Sequence, residues 1–153
     1  MQIRVISVGK VKQRFVLDGE GEFLPRLKGD TKVELIEVEA AADLPEAQAK
    51  VKEGEAVLSK VRSSDLLIVL DEKGKPLSSP EFAKFMQNEM TRGRSSFVFA
   101  IGGYHGWDPA VLKRAHRVMS LSSLTFTYQM TRLILVEQIY RAMTIIKGVP
   151  YHR

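Results

Sequence analysis

The chain has 153 residues, 44% of them hydrophobic and 27% charged, which is the size and composition of one globular domain with a substantial core. It has no cysteine and only three scattered histidines, which excludes disulfides and a cysteine nucleophile and predicts no metal site. The longest apolar segment, residues 129–146, is interrupted by Arg132, Glu137 and Arg141, so we predict no membrane span. The first residues resemble a strand rather than a signal peptide, and we expect a cytoplasmic protein.

Short apolar runs alternate with helical patterns along the chain. Strand-like composition occupies residues 1–8, 31–38, 66–70, 97–101 and 118–121. Helical periods or capping signals occupy residues 15–28, 44–62, 80–91, 109–112 and 129–146. Val51 is expected on the apolar face of its helix, and Ser79 is expected to cap the helix that Pro80 begins. The alternation predicts a single α/β domain with a mostly parallel sheet and helices on both faces.

Ligands of such sheets bind at the carboxyl ends of the strands. Three loops follow predicted strand ends, after Leu70, after Ile101 and after Leu121. In the second loop, Gly102 and Gly103 allow a ligand to approach the backbone and leave amide donors free. The alternative is a turn with a purely structural role.

The third loop alternates small hydroxyl residues with apolar ones. It consists of Leu121, Ser122, Ser123, Leu124, Thr125 and Phe126. A loop of this kind is suited to an adenine-like base, held by backbone hydrogen bonds between apolar side chains. The alternative is an ordinary loop in which serine and threonine cap the next helix.

The charge is distributed unevenly. The net charge is +5, of which residues 1–89 contribute −2 (14 basic, 16 acidic) and residues 90–153 contribute +7 (9 basic, 2 acidic). A basic segment that also contains two of the candidate loops indicates a polyanionic partner such as nucleic acid, unless the charge only aids solubility. Tyr104 and Trp107 lie in the second loop, where aromatic rings either stack on unpaired bases or pack as a lid.

Arg132 falls on the apolar face of the last predicted helix, in line with Val136 and Ile139. An arginine there needs a partner, because an unpaired buried charge is costly. The partner is phosphate or carboxylate, at the pocket or across a subunit interface, unless the side chain reaches solvent from the first turn. Because this helix is apolar over most of its circumference, we predict a homodimer built on residues 129–146.

The chain ends with Tyr151, His152 and Arg153, a few residues after this helix. A bare terminus predicts a frayed tail. The combination of a titratable histidine, a tyrosine and an arginine also suits a pocket of the partner subunit.

Several motifs give the chain a likeness to a known family over essentially its whole length. They are VGK at residues 8–10, LDEKGKPLSSPEFA at 70–83, FVFAIGG at 97–103 followed by Gly106, SLSSLTF at 120–126, QMTRLILVEQIYRA at 129–142 and PYHR at 150–153. In these motifs the chain resembles the small SPOUT-class methyltransferases, which modify ring nitrogen N3 of a pseudouridine in bacterial large-subunit (23S) ribosomal RNA.

The resemblance implies a C-terminal trefoil (α/β) knot whose loops hold S-adenosylmethionine. The residues implied in cofactor binding are Leu70, Gly102, Gly103, Leu121, Ser122, Ser123, Leu124, Thr125 and Phe126. The target nitrogen must lose a proton before it attacks, and His152 is the candidate acceptor. Arg132 is the candidate for binding phosphate or stabilising the developing anion. Together with the charge distribution, the resemblance implies RNA contacts by Trp107, Arg114, Arg117, Arg132, Tyr151 and Arg153.

The chain departs from the family pattern after the SxxTF loop, where Thr127 and Tyr128 replace the usual Pro-His. If that histidine moves a proton, this chain uses Tyr128 or His152 instead. The absence of a separate RNA-binding domain suggests that the target is recognised on the assembled ribosome. Two alternatives remain, a non-catalytic RNA-binding module of the same fold and a flavodoxin-like binder of a small phosphate ligand.

Overall fold

The computed structural model describes the chain from Met1 to Arg153, and strands alternate with helices throughout. The strands are β1 (Gln2–Val8), β2 (Lys32–Val38), β3 (Leu66–Pro76), β4 (Ser96–Ile101) and β5 (Arg117–Ser120). The helices are α1 (Arg14–Leu27), α2 (Glu46–Leu58), α3 (Ser79–Thr91), α4 (Pro109–Arg114) and α5 (Tyr128–Lys147). All strand pairs are parallel, in the order β2-β1-β4-β3-β5. The predicted fold class is therefore confirmed.

Each face of the sheet has its own apolar core, because successive side chains of a strand point to opposite faces. On one face, Ile68 and Phe99 are packed beneath α1, α3 and α5. On the other face, Leu67 and Val98 are packed beneath α2 and α4. This double cover explains why β3 and β4 read as continuous apolar runs.

Strand β3 extends beyond the predicted residues 66–70. After an irregularity between Leu70 and Lys75 it pairs again with β5, where Lys75 lies opposite Met119. Gly74 makes this possible, since a Cβ atom there would lie 2.8 Å from backbone atoms of Met119. The polar segment predicted as a loop is therefore partly an extension of the sheet.

Two other local predictions are wrong. Val51 is 44% exposed, whereas Glu53 of the same helix is buried. Ser78 rather than Ser79 caps α3, in a capping box in which its hydroxyl accepts from Glu81 N and its own N–H donates to the Glu81 carboxylate. A shift of one residue in a cap is not resolved by a sequence with serine at both positions.

Helix α5 runs from the carboxyl edge of the sheet to its amino edge. Its first residue contacts Gly9, just after β1, and Lys147 near its end pairs with Asp30, before β2, at 2.9 Å. Twenty residues give it a length of about 30 Å. No helix of this structure combines the length and the apolar content needed to cross a membrane.

Candidate active site

The three predicted ligand loops begin side by side. Leu70 pairs with Ile101, the last residue of β4, on one side and with Met119, one residue before the end of β5, on the other, so the segments that follow these positions start next to one another. The structure thus brings together Leu70, the Gly102–Gly103 turn and the loop of residues 121–126 at one edge of the sheet. This is where a parallel α/β sheet binds its ligand.

Trp107 packs inside this edge, and its predicted RNA-stacking role is corrected to a packing role. The side chain is only 7% exposed and its indole N–H donates to the Leu70 carbonyl at 2.9 Å. A Cβ on Gly102 would lie 3.0 Å from the indole ring, so this glycine is needed for close packing. The neighbouring Tyr104 is 96% exposed and has the accessible ring of this loop.

Gly103 lies between a strand end and a buried acid. A Cβ at this position would lie 3.0 Å from Val8 and 3.1 Å from Oε1 of Glu53. Glu53 accepts from Ala41 N at 2.8 Å through Oε2, but its buried Oε1 has no hydrogen-bond partner. In the sequence, Glu53 is only one acidic residue of an amphipathic helix, and nothing there marks it as part of a site. The structure places an unsatisfied acceptor directly beside the candidate cofactor turn.

The loop of residues 121–126 is ordered by its own hydroxyl groups. Ser122 N donates to Ser120 Oγ at 3.2 Å, and Leu124 N donates to Ser122 Oγ at 2.9 Å. Thr125 donates to the carboxylate of Glu72 on the β3 extension at 2.7 Å. Leu124 itself is 72% exposed, so the loop presents an apolar side chain at the surface of this edge.

Tyr128 holds the loop that follows β1. Its hydroxyl donates to the Lys10 carbonyl at 2.6 Å, and its ring packs on Gly9, whose φ of 103° suits glycine. The preceding Thr127 caps α5 by accepting from Met130 N at 3.2 Å. The two residues that depart from the family pattern therefore begin the helix and position this loop, and the phenol of Tyr128 is engaged as a hydrogen-bond donor to the Lys10 carbonyl.

Gln129 and Glu37 fix the rest of that loop. Gln129 accepts from both Lys12 N and Gln13 N at 2.9 Å, and Glu37 accepts from Val11 N at 3.0 Å. Beside the loop is a cavity of about 430 Å³. Its lining consists of Gly9, Lys10, Lys12, Glu37, Val38, Glu39, Ala40, Tyr128 and Gln129. This cavity was not predicted from the sequence, although Lys10 directly after the glycine that follows β1 was a usable signal.

Arg132 is buried, as its position on the apolar face predicts, and its partners are carboxylates of the same chain. Its Nε and Nη2 atoms bind the two oxygens of Glu20 in α1 at 2.6 and 2.8 Å, and Nη1 binds Glu37 at 3.1 Å. Arg132 and Glu20 are 3% and 2% exposed. The roles predicted for Arg132 in phosphate binding and anion stabilisation therefore lack an accessible guanidinium, and the residue joins α5 to α1 and β2.

The predicted fraying of the tail is wrong. Gly148 ends α5 in the left-handed conformation, and the chain turns back along the helix. The Tyr151 hydroxyl donates to Glu137 at 2.9 Å, and His152 Nδ1 lies 3.1 Å from Nη1 of Arg141. Burial, together with the hydrogen bond to the Glu137 carboxylate, raises the pKa of Tyr151, so the phenol remains a donor.

The basic residues of the C-terminal segment do not gather at the cofactor loops. Arg114 donates to the carbonyl of Arg62, before β3, and Arg117 stacks on the ring of Phe85, so both lie toward the amino edge. Arg141 is paired with Glu137 at 2.7 Å. A single RNA-binding face formed by Arg114, Arg117 and the cofactor loops of one chain is therefore not present.

The chain matches, over residues 1–152, the family model described as "Predicted SPOUT methyltransferase". The chain belongs to the SPOUT methyltransferase family. Membership in the SPOUT family implies a knotted fold for the C-terminal part of this α/β domain.

Curated relatives of this SPOUT chain are matched along their whole length and share one printed name. Proteins named "Ribosomal RNA large subunit methyltransferase H" are 45% identical in Halothermothrix orenii, 43% in Carboxydothermus hydrogenoformans and 40% in Enterococcus faecalis. Each alignment covers 100% of this chain and 100% of the relative.

Proposed function

We propose that this protein transfers the methyl group of S-adenosylmethionine to ring nitrogen N3 of a pseudouridine in large-subunit ribosomal RNA. The observation that carries the proposal is the full-length match to SPOUT methyltransferases and to relatives named for large-subunit ribosomal RNA. The adjacent positions Leu70, Ile101 and Met119 support it, because they lie at the carboxyl edge, where parallel α/β sheets bind their ligands.

The residues at this edge suit the cofactor. We assign cofactor contacts to Leu70, Gly102, Gly103, Leu121, Ser122, Ser123, Leu124, Thr125 and Phe126. The exposed Leu124 suits an apolar contact to the adenine, and the free Oε1 of Glu53 beside Gly103 suits a donor group. Bound S-adenosylmethionine would supply an activated methyl group, so the protein mainly has to orient the target and exclude water.

The proton on N3 must be removed, and we assign its acceptance to His152 from a second copy of the chain. Within one chain, His152 contacts Arg141, which lies 13 residues after the first residue of α5. That spacing corresponds to about 20 Å along the helix, away from the carboxyl edge. The tail therefore serves the site of a partner in a homodimer built on α5, where Tyr151 and Arg153 are placed to contact RNA.

The decisive experiment uses ribosomes from a bacterial strain that lacks the corresponding methyltransferase. The protein is incubated with these ribosomes and labelled S-adenosylmethionine, and the label is mapped by mass spectrometry of the RNA. We expect one methylated pseudouridine in large-subunit RNA. We also expect methyl transfer to assembled ribosomes to be faster than methyl transfer to naked RNA. A protein that binds no S-adenosylmethionine would instead be a non-catalytic RNA-binding module.

A further inference from the structure

The cavity beside the loop of residues 9–13 lies next to the cofactor loops but is separate from them. Strand β1 is the neighbour of β4, and Ser7 pairs with Ile101. Val8 follows Ser7 and packs against Gly103, since a Cβ there would lie 3.0 Å from the Val8 side chain. A ligand group in this cavity would therefore be adjacent to whatever occupies the cofactor loops.

The backbone of this loop is fixed by hydrogen bonds from other elements. Gly9 N donates to Val38 O at 2.9 Å, in addition to the contacts that Glu37, Tyr128 and Gln129 make with the loop. These contacts come from β2 and from the first turn of α5. Because the loop is already ordered, the binding of a ligand does not incur the entropic cost of ordering a loop.

Two lysine side chains of this loop remain free. Lys10 and Lys12 are exposed, line the cavity and form no ion pair. Of the two acids that line it, Glu37 is engaged by Arg132, which leaves Glu39. The cavity thus has two free cations against one free carboxylate, at the edge from which Arg114 and Arg117 are absent.

We propose that Lys10 and Lys12 bind backbone phosphates of the ribosomal RNA beside the target nucleotide, and this inference rests on the function proposed above. Lysine binds phosphate as a point charge, and such contacts position RNA and make its binding depend on salt. The loop of residues 9–13 is therefore the part of the acidic N-terminal half that contacts the polyanion.

The test compares two double variants that remove the same charge. Lys10→Ala/Lys12→Ala alters the cavity, and Lys28→Ala/Lys32→Ala removes two exposed, unpaired lysines at the amino edge. Methyl transfer to undermethylated ribosomes is measured over a range of salt concentrations, and S-adenosylmethionine affinity is measured by calorimetry. For the cavity variant we expect kcat/KM to fall about tenfold and its logarithmic salt slope to decrease by about 1.4 to 1.8, at 0.7 to 0.9 per phosphate.

The cofactor affinity of both variants is expected to equal that of the wild type. The inference is overturned if the cavity variant keeps the wild-type salt slope, as a cavity for a free phosphate compound would, or if both double variants lose activity equally. If the wild-type protein transfers no methyl group to ribosomes, the proposed function fails and the inference fails with it. An active wild type with an unaffected cavity variant contradicts the inference alone.

Discussion

Arg132 forms a buried ion pair that joins α5 to α1. It binds Glu20 through two hydrogen bonds and Glu37 through one, with almost no exposure. We expect Arg132→Met to lower the free energy of unfolding by about 3–5 kcal/mol, because it leaves the buried Glu20 unpaired. Urea denaturation followed by circular dichroism measures this loss.

A second substitution separates the two roles of Arg132. In Arg132→Met/Glu20→Leu no buried charge of that pair is left, so most of the lost stability is expected to return, to within about 1–2 kcal/mol of wild type. Methylation by the double variant is expected to recover in parallel. A stable double variant without activity would show instead that the guanidinium acts on the RNA or on the reacting group.

His116, just before β5, makes the stability of the fold depend on pH. Its Nδ1 accepts from Leu67 N at 3.0 Å, which requires a neutral ring. Partial burial, with the charges of Arg114 and Arg94, lowers the pKa of His116 below its ordinary 6.5, and Glu89 opposes this only weakly. The neutral ring of His116 makes its full contribution to the free energy of unfolding above pH 6.5. This contribution is lost as the pH falls through the lower pKa of the folded state.

The pH effect is measured by urea denaturation from about pH 8 down to about pH 5, the range in which histidine titrates. We expect wild type to lose stability more steeply than His116→Asn, whose amide oxygen replaces the Nδ1 acceptor without titrating. His105 and His152 are retained in both proteins, so their contributions cancel in the comparison. Identical pH profiles would show that His116 does not titrate in this range.

At the scale of elements, the β3 extension connects the sheet to a cofactor loop. It carries Glu72, which accepts from Thr125, and Gly74, which lies against the backbone of Met119. We expect Gly74→Ala to destabilise the fold by about 1–3 kcal/mol, because the new methyl group overlaps backbone that cannot move aside. Cofactor affinity is expected to fall as well, since Glu72 is displaced with the strand.

The matched control for Gly74→Ala is Gly21→Ala in α1. A Cβ at Gly21 meets no atom within 4 Å, and the residue is exposed. This variant is expected to gain about 0.4–1 kcal/mol, because alanine restricts the unfolded chain and suits a helix. Thermal and urea unfolding compare the two, and a loss at both positions would mean that glycine is required for a reason other than the contact with Met119.

The order of elements was predictable because hydrophobic periodicity is local and strong. The covered strands at residues 66–70 and 97–101 and the apolar helix at 129–146 are unambiguous in sequence. The β3 extension was not predictable, because its pairing with Met119 requires the backbone at Gly74 to approach Met119 so closely that no side chain fits between them. Likewise, a sequence shows that Arg132 needs a partner but not which carboxylate the fold brings to it.

The candidate site was predictable to the level of its loops but not of its charges. The edge formed by Leu70, Gly102 and residues 121–126 follows from the rule that parallel strands bind ligands at their carboxyl ends. The net charge of +7 in residues 90–153 suggested one basic face. In a parallel sheet, however, the two ends of each strand or helix lie at opposite edges, so basic residues of one segment are divided between the edges. Arg117, at the start of β5, therefore lies at the amino edge, whereas Lys10, just after the end of β1, lies at the carboxyl edge.

At the scale of the whole molecule, the proposed site needs two chains. The cofactor loops lie at the carboxyl edge, whereas the tail is folded on the middle of α5 by contacts to Glu137 and Arg141. The side chains of α5 that remain partly exposed, including Met130 and Ile134, leave a surface for a second copy. Sedimentation is expected to give a dimer mass, and a monomer mass at all concentrations would contradict the composite site.

Mixing two inactive variants tests whether one site uses both chains. Gly103→Val is expected to lose cofactor binding, since the space beside Val8 and Glu53 is filled, and His152→Ala is expected to lose the proton acceptor. Each homodimer then has no complete site. After joint unfolding and refolding of equal amounts, half of the dimers contain both variants, and each of these has one intact site. Methyl transfer is expected to return to about a quarter of the wild-type rate, as follows from random pairing in a two-fold dimer. A site built within one chain would leave the mixture as inactive as its components, because every chain would carry its own defect.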